Sequence, residues 1–555
     1  MDAMCRLGIV GGGSVGISFL AQFIAHLESG ANRAGNVPGC HITLFEPAEK
    51  IGHGTAYQHD LNTNLLNVPA GNMSLYDKHR AHFVQWLAAQ PEAFLQSYGI
   101  RDIDPAAFYP RPLFGRYVHE HFDRLVAQAA ALGVQVQVVR SAVVAIARHA
   151  AGQEQGQQQG QQQGQDGHGQ GQWPKVQTPI QLTDHAGTNH IVDHLVLCNG
   201  NLASDKFEAL VPCAGFLNSP YPVSALSQAV AANATVAILG TNLSAIDAVV
   251  ALKAHGHEGQ IHCFSRQGVL PAVRSVHPTV MPYRLSRADV HALALANGGR
   301  LGLEDVVGQL HKQILAVDPG FDIRDIAGGG SDAVSLLNHD LEAACSGPRP
   351  WQAVLAAANE VIDLLWFYLD QPARRQFQSR WRSQWMSRRA MFPVQNARQL
   401  QSLIEKGQLH IHGGFQMCEP RANGHGFLLH HRDVAGALQQ HACDVVINAT
   451  GFSQDVRQSS DPLIMQLLQS GQARASEYGG FELDFDTGCL ISANGTIAHD
   501  MTVLGSLACG TYFWTVSMDV NARLANEQAA RLASKLCRQH ATVAAGVVVT
   551  ADVAT

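Results

Sequence analysis

The chain of 555 residues is short of charge, of aromatics and of paired cysteines. Only 15% of its residues are charged and 7% are aromatic, and the net charge is −7. That balance excludes a generic polyanion binder such as a nucleic-acid protein and leaves room only for a local basic patch. Eleven cysteines include no Cys-x-x-Cys pair. This excludes zinc ribbons and the redox-active Cys-x-x-Cys type of disulfide reductase. An odd count at irregular spacing reads as the reduced thiols of a cytoplasmic protein. The 28 histidines form no short metal-type cluster. His410 and His412 alternate on one predicted strand, which is too little for a metal site, so no metal is expected. No His-Glu-x-x-His or Walker pattern occurs. Leu7 to Leu27 carries no charged residue. Glycines at 8, 11, 12, 13 and 16 interrupt it and no long basic leader precedes it, so it reads as neither a membrane span nor a signal. The apolar stretch Ala541 to Val549 is too short to cross a bilayer.

What is present is nucleotide-binding pattern. Arg6–Val10 reads as an apolar strand, Gly11-Gly12-Gly13-Ser14-Val15-Gly16 as a G-x-G-x-x-G turn, Ser14 to Leu27 as a helix and His41–Glu46 as the next strand. In such a βαβ unit Gly11 permits the tight turn, Gly13 lets the backbone approach a pyrophosphate, and Gly16 lets helix and strand pack. The helix start at Ser14 adds partial positive charge. Glu46, ending the second strand, is the expected ribose acid. It lies farther from Gly16 than the usual spacing because of the polar insert Ser29–Gly39.

A second unit begins at Thr235, with strand Val236–Leu239, turn Gly240-x-Asn242-x-Ser244-Ala245, a helix to His255 and strand Gln260–Phe264. Asn242 replaces the middle glycine, and Asn tolerates left-handed backbone better than most residues. Ser265-Arg266 stands where an acid would select NADH; a cation there suits a 2′-phosphate, so NADPH is favoured. Asp193 to Gly200 and Asp444 to Gly451 both read as Asp, a buried strand and a closing Gly. His190–Leu197 is read as one strand. Two turns and two such strands, in order, describe a two-dinucleotide α/β flavoprotein. Residues 152–172 are almost pure Gln and Gly, too polar to order themselves, and read as a disordered hairpin loop. Residues 287–403 are mostly helical in pattern, and a final helix is read over Val520–Arg538.

The chain resembles the bacterial FAD/NAD(P)-binding flavoproteins that include the FAD-dependent urate hydroxylase and the nitrosuccinate-forming L-aspartate N-monooxygenase. The likeness rests on GIVGGGSVG (8–16), Gly52-His53-Gly54-Thr55-Ala56-Tyr57, LLNVPAGNMS (65–74), YPRPLFGRYV (109–118), LGTNLSAID (239–247) and FSRQGVLP (264–271). INATGF (447–452) is more distantly similar to amino-acid N-hydroxylases. The resemblance implies a Rossmann-like FAD domain over 1–225 and 440–540 and an NAD(P)H-binding domain over 226–439. It implies a helical, substrate-facing insertion at about 280–405 and a tail at 541–555. It also implies FAD contacts at Gly11, Gly13, Ser14, Gly16, Glu46, Gly54, Tyr57, Asn67, Met73, Gly200 and Gly505. NADPH contacts would come from Gly240, Asn242, Ser244, Arg266 and Gly451. Two departures stand out: Trp514 is followed by Thr515 where many relatives carry an acid, and Asn242 replaces the usual Gly or Ser.

The implied activity is that of an FAD-dependent, NAD(P)H-consuming monooxygenase acting with O₂ through a C4a-(hydro)peroxyflavin. It would hydroxylate a small polar substrate, at an amino-acid nitrogen or a purine-like ring. The hard chemistry belongs to the cofactor, so no catalytic acid or base is expected from the chain. The alternatives are an oxidoreductase without oxygen insertion and a non-catalytic flavin-binding protein. No membrane or nucleic-acid partner is expected, and nothing in the sequence sets the oligomeric state.

Overall fold

The computed structural model describes residues 4–34, 39–148, 178–204, 206–277, 279, 285–327, 332–422 and 424–551. The Gln/Gly tract at 152–172 lies outside them.

Apolar runs buried on both faces build two parallel sheets, as expected where helices cover both sides. The first sheet contains β1 (Cys5–Val10), β2 (Cys40–Phe45), β3 (Gln135–Val139), β7 (His194–Leu197), β16 (Cys489–Ile491) and β17 (Ile497–Val503). Its order is β16-β17-β7-β1-β2-β3, with only the β16 edge antiparallel. The second contains β8 (Phe216–Leu217), β9 (Val236–Leu239), β10 (Ile261–Phe264), β11 (Leu409–His412) and β15 (Val445–Asn448), in the order β11-β10-β9-β15-β8. Two antiparallel sheets flank them: β4 (Val143–Arg148), β5 (Ile180–Asp184) and β6 (Asn189–Val192), then β12 (Phe415–Pro420), β13 (Phe427–Arg432) and β14 (Leu438–Cys443).

Several boundaries differ from the sequence reading. The single strand expected over His190–Leu197 is two strands in two sheets, parted at Asp193. There the Asp193 carboxylate accepts the Arg6 backbone N–H at 2.8 Å and pairs with its guanidinium at 2.7 Å. Phe216–Leu217 and Val445–Asn448 fall inside the expected FAD segments, yet both pair in the second sheet. The last helix does not stop near Arg538 but runs from Met518 to Ala551, into the expected tail. It packs along the first helix, Ser14–Ala34, where Gln22 donates to the Ala522 carbonyl at 2.9 Å.

Each parallel sheet has its own apolar core. Most helices between Arg287 and Glu405 form a third body with cores around Trp366 and Trp351, while Ala333–Ser346 and Val394–Glu405 pack into the core of the second sheet. Buried ion pairs tie it down. Asp363 takes Arg287 at 3.0 Å and Arg523 of the last helix at 2.8 Å, and Asp340 takes Arg349 and Arg388, each at 2.7 Å. Among the described residues, no helix is long and apolar enough to cross a membrane.

Candidate functional site

The first strand ends in a turn that only glycine can enter. Gly11 has φ +100°, its N–H donates to Phe45 O at 2.9 Å, and a Cβ would stand 2.6 Å from Cys198 O. Side chains with a Cβ rarely adopt that backbone, and the contact is below any tolerable approach. Gly13 is different: the nearest atom to its notional Cβ is Gly54 Cα at 3.6 Å, so this side of the turn stays open. Glu46 closes the edge. Its Oε2 accepts the Gly12 N–H at 2.8 Å and its Oε1 accepts the Ala48 N–H at 2.9 Å. Ser14 opens the first helix directly behind.

A lip forms over this turn. Gly52 N–H donates to Gly12 O at 2.7 Å, bringing Gly54 opposite Gly13. Asn201 donates to Thr55 Oγ1 at 3.0 Å and accepts from Ser506 at 2.7 Å. Gly200 faces Ser506, and Gly505 lies over Val15 of the first helix. Residues separated by almost the whole chain thus meet at one mouth. Tyr57 turns aside and packs on Phe114 at 4.7 Å between ring centroids, and burial raises its phenol to about 12. Met73 is buried in the core, so its side chain does not line the mouth.

The second turn repeats the first. Gly240 has φ +125°, donates to Phe264 O at 2.7 Å, and a Cβ there would meet Ala449 O at 2.6 Å. Asn242 has φ −88° and ψ −166°, an extended conformation. The left-handed geometry expected from Asn at this position is therefore absent. The residue precedes the helix Leu243–Ala254 and its side chain makes no capping bond. Where Glu46 closed the first turn, Ser265 closes the second: its Oγ accepts from Thr241 Oγ1 at 3.1 Å and from Gly268 N–H at 2.9 Å. Arg266 is exposed just beyond. It lies close enough to Arg382 to help burial lower that guanidinium. Two cations at this rim suit a phosphate group. Ser244 stands beside Tyr221, and Gly451 has φ +82° with open space around it.

Between the first unit and the helical body lies a cavity of about 660 Å³, bounded by Val68, Pro69 and Asn72 on one side and by Gln352 and Arg389 on the other. That is the size of an ordinary small-molecule site. Four arginines line it. Arg80 pairs with Glu360 at 3.2 Å and Arg349 pairs with Asp340. Arg274 and Arg389 have no carboxylate within salt-bridge distance among the described residues. The Arg274 guanidinium donates to Asn67 O at 3.3 Å, and that of Arg389 donates to Asn359 Oδ1 at 2.5 Å. The Nε of each is buried without a partner. Burial pushes both guanidiniums down to about 10, and Arg389 lowers Arg274 further. Asn67, expected at the flavin, thus reaches Arg274 through its backbone carbonyl.

The sequence reading leaves Arg388 and Arg389 equally open as partners of an anionic substrate and as a solvated helix face. Both are buried, one paired and one not. It also set the histidines aside, whereas the fold gathers His262, His412 and His441, their ring nitrogens all within 4.8 Å. The signal available was alternation on neighbouring strands, but it needs the register of β10 on β11 to be read.

Comparison with known proteins agrees with this architecture. The family model described as FAD-NAD(P)-binding matches residues 8–166. An uncharacterized protein of Escherichia coli (strain K12), YdhS, is 23% identical over 462 residues, 74% of this chain and 77% of that protein. Among solved structures, L-lysine 6-monooxygenase from Pseudomonas syringae superposes with a TM-score of 0.56 at 16% identity, covering 96% of this chain and 99% of that one. The reduced form of ornithine hydroxylase (PvdA) from Pseudomonas aeruginosa gives 0.52 at 14%, covering 97% and 99%. The fold is that of the two-dinucleotide-binding flavoproteins.

Proposed function

We propose that the chain is an FAD-dependent, NADPH-consuming monooxygenase that hydroxylates a small carboxylate-bearing substrate, with an amino-acid nitrogen the favoured target. The observation that carries this is the cavity holding the half-buried Arg274 and the buried Arg389, neither of which has a carboxylate within salt-bridge distance among the described residues. An unpaired buried charge is costly unless a ligand completes it. A carboxylate accepts charge-assisted hydrogen bonds from guanidinium groups in the fork geometry that both residues can present. The named activities of the lysine and ornithine hydroxylases that share the fold point to the same reaction class.

The residues of the first mouth fit FAD. The open side of Gly13, the helix start at Ser14 and the lip amides between Gly52 and Tyr57 suit a pyrophosphate, and the Glu46 carboxylate suits ribose hydroxyls. When bound there, FAD supplies the redox chemistry that links NADPH oxidation to O₂. The second turn, with Arg266 and Arg382, would hold NADPH. On this reading the FAD unit draws on 1–225 and 440–540 and the NADPH unit on 226–439. The insertion at 280–405 supplies the substrate wall. The chain's own work is to bind, orient and exclude water: Arg274 and Arg389 would fix the carboxylate, and Asn359 and Trp514 hold Arg389 in place. The Arg389 guanidinium lies 5.3 Å from the Trp514 ring centroid.

The test compares amino acids with their decarboxylated amines as substrates, following NADPH oxidation and hydroxylated product. Amino acids should turn over and amines should not. Arg389→Gln should raise KM for the amino acid about tenfold or more, as expected for loss of a charge-assisted hydrogen bond, with FAD content unchanged. Equal use of the amine would defeat the carboxylate reading. Flavin reduction by NADPH without any oxygenated product would favour a plain oxidoreductase. No flavin reduction would favour the non-catalytic alternative.

A further inference from the structure

At the seam between the second parallel sheet and β12-β14, five histidines crowd together, and a sixth points away from them on the opposite face of β13. His262 lies on β10, His410 and His412 on β11, His430 and His431 on β13 and His441 on β14. The parallel pairing of β10 with β11 sets His262 beside His410 and Phe264 beside His412, so alternate side chains share one face. His262 Nδ1 approaches His412 Nε2 at 3.0 Å, and His431 Nε2 approaches His441 Nε2 at 3.0 Å. The ring centroid of His441 is 4.7 Å from that of His412 and 5.2 Å from that of His262. Two of the six are otherwise engaged. His410 Nε2 meets Gln260 Oε1 at 2.8 Å, and His430 Nε2 meets Glu419 Oε1 at 3.0 Å. His431 Nδ1 lies 3.2 Å from Gly413 O. Donation to that carbonyl leaves its Nε2 lone pair facing His441.

We propose that His262, His412 and His441 form a binding site for a borderline divalent transition-metal ion, of which Zn²⁺ is the probe of choice, with His431 at the fourth side. Three imidazole nitrogens within 4.8 Å of one another need only small ring movements to reach the nitrogen–nitrogen edges of a tetrahedral zinc site. Imidazole donors without thiolate select zinc, nickel or copper over magnesium or calcium. The carbonyl held by His431 is a fitting outer-sphere partner, since metal-binding histidines ordinarily lean their second nitrogen on such a group.

The position gives the ion a consequence. His412 O accepts the Ser265 N–H at 3.0 Å, and Gly414 N–H donates to Arg266 O at 3.0 Å. A metal that clamps β10, β11 and β14 would therefore stiffen the segment that carries Arg266. The binding claim itself does not depend on the monooxygenase reading.

The experiment uses the full chain, stripped with a chelator and dialysed, with Zn²⁺ partitioned between protein and a chromophoric chelator. One equivalent should bind tightly in the wild type. His412→Gln and His441→Gln should each weaken it by about tenfold or more, the scale expected for damage to a metal's ligand set. His410→Gln, outside the set, should leave it unchanged. Co²⁺ in place of Zn²⁺ should give the visible absorption of a tetrahedral ion in wild type and lose it in His412→Gln. Flavin content and far-UV circular dichroism report whether each variant has folded. No stoichiometric binding in the wild type would overturn the proposal. So would equal affinity in folded His412→Gln, or an equal loss in folded His410→Gln.

Discussion

The two dinucleotide units are built on one plan and finished differently. In each, an aspartate caps the start of the first strand: Asp193 accepts the Arg6 N–H at 2.8 Å, and Asp444 accepts the Thr235 N–H at 2.7 Å. Each has a glycine turn tied to the second strand, a three-stranded antiparallel excursion, and a return strand beside the first. The difference lies in what closes each turn. A carboxylate receives a backbone N–H in the first unit, and a serine receives a threonine hydroxyl in the second. The shared plan is set by backbone hydrogen bonds. The closures are set by side chains, and ligand choice lives there.

The largest expected effect probes the third place of the turn. A Cβ at Gly16 would stand 2.1 Å from Gly11 O, while the second unit carries Ala245 at the same place, 2% exposed. The first turn is therefore packed tighter against its helix. Gly16→Ala should cost more than the roughly 1–3 kcal/mol typical of overpacking, because backbone must move. The protein should lose its flavin and much of its soluble yield, read by flavin absorbance per protein and by melting temperature. A folded, flavin-loaded Gly16→Ala variant would mean that the two turns are built alike after all.

Next in size is Gly240→Ala, which asks whether the units fail independently. The strained φ and the contact with Ala449 O argue for a local distortion of the second turn alone. Flavin content should remain near one per chain while reduction by NADPH falls about tenfold or more, the loss expected when a positive-φ glycine gains a Cβ against backbone. Anaerobic stopped-flow separates the two readings. Concerted loss of flavin would show that the units are coupled, for example through the 3.0 Å Arg111–Asp247 pair that joins the helix Arg111–Ala131 to Leu243–Ala254.

Much of this plan was legible in the residues because its signals are local. Gly11 and Gly240 stand at strand ends, and the two Asp-strand-Gly segments repeat at equal spacing. What escaped depends on distance or burial. Nothing local told that Asp193 parts the segment His190–Leu197 between two sheets. Leu438–Cys443 is mostly polar and largely exposed, so it has no apolar pattern to mark it as a strand. Arg274 and Arg389 look like any surface arginine until the helical body folds over them. The three clustered histidines are 29 to 179 residues apart in sequence and meet only through strand register.

The comparison also predicts nucleotide choice, with an intermediate effect. Glu46 would repel a 2′-phosphate; Ser265 and Arg266 would accept one. Charge-assisted hydrogen bonds contribute on the order of 1.5–3 kcal/mol, or roughly 10- to 100-fold in affinity. NADPH should therefore reduce the flavin at lower concentration than NADH. Arg266→Ala should raise the NADPH requirement by that factor and leave NADH unchanged. Equal use of both nucleotides by the wild type would remove Arg266 from the site.

The smallest effect belongs to the residue that most visibly departs from the glycine pattern. Asn242 takes the place of Gly13, and Asn242→Gly would restore the fingerprint. Yet Asn242 has φ −88°, so it uses no conformation that glycine alone supplies. Its side chain makes no capping bond to the following helix, so none is lost. Replacing Asn by Gly at a helix N-cap costs only a few tenths of a kcal/mol, and the added freedom of the unfolded chain costs roughly 0.5–1 kcal/mol more. The variant should melt slightly lower and bind NADPH within about threefold of wild type, since about 0.7 kcal/mol is that ratio. Titrating flavin reduction against NADPH measures it. A tenfold gain in affinity would show that the Asn242 side chain obstructs the phosphates, and that the second turn is a damaged copy of the first rather than a different finish of the same plan.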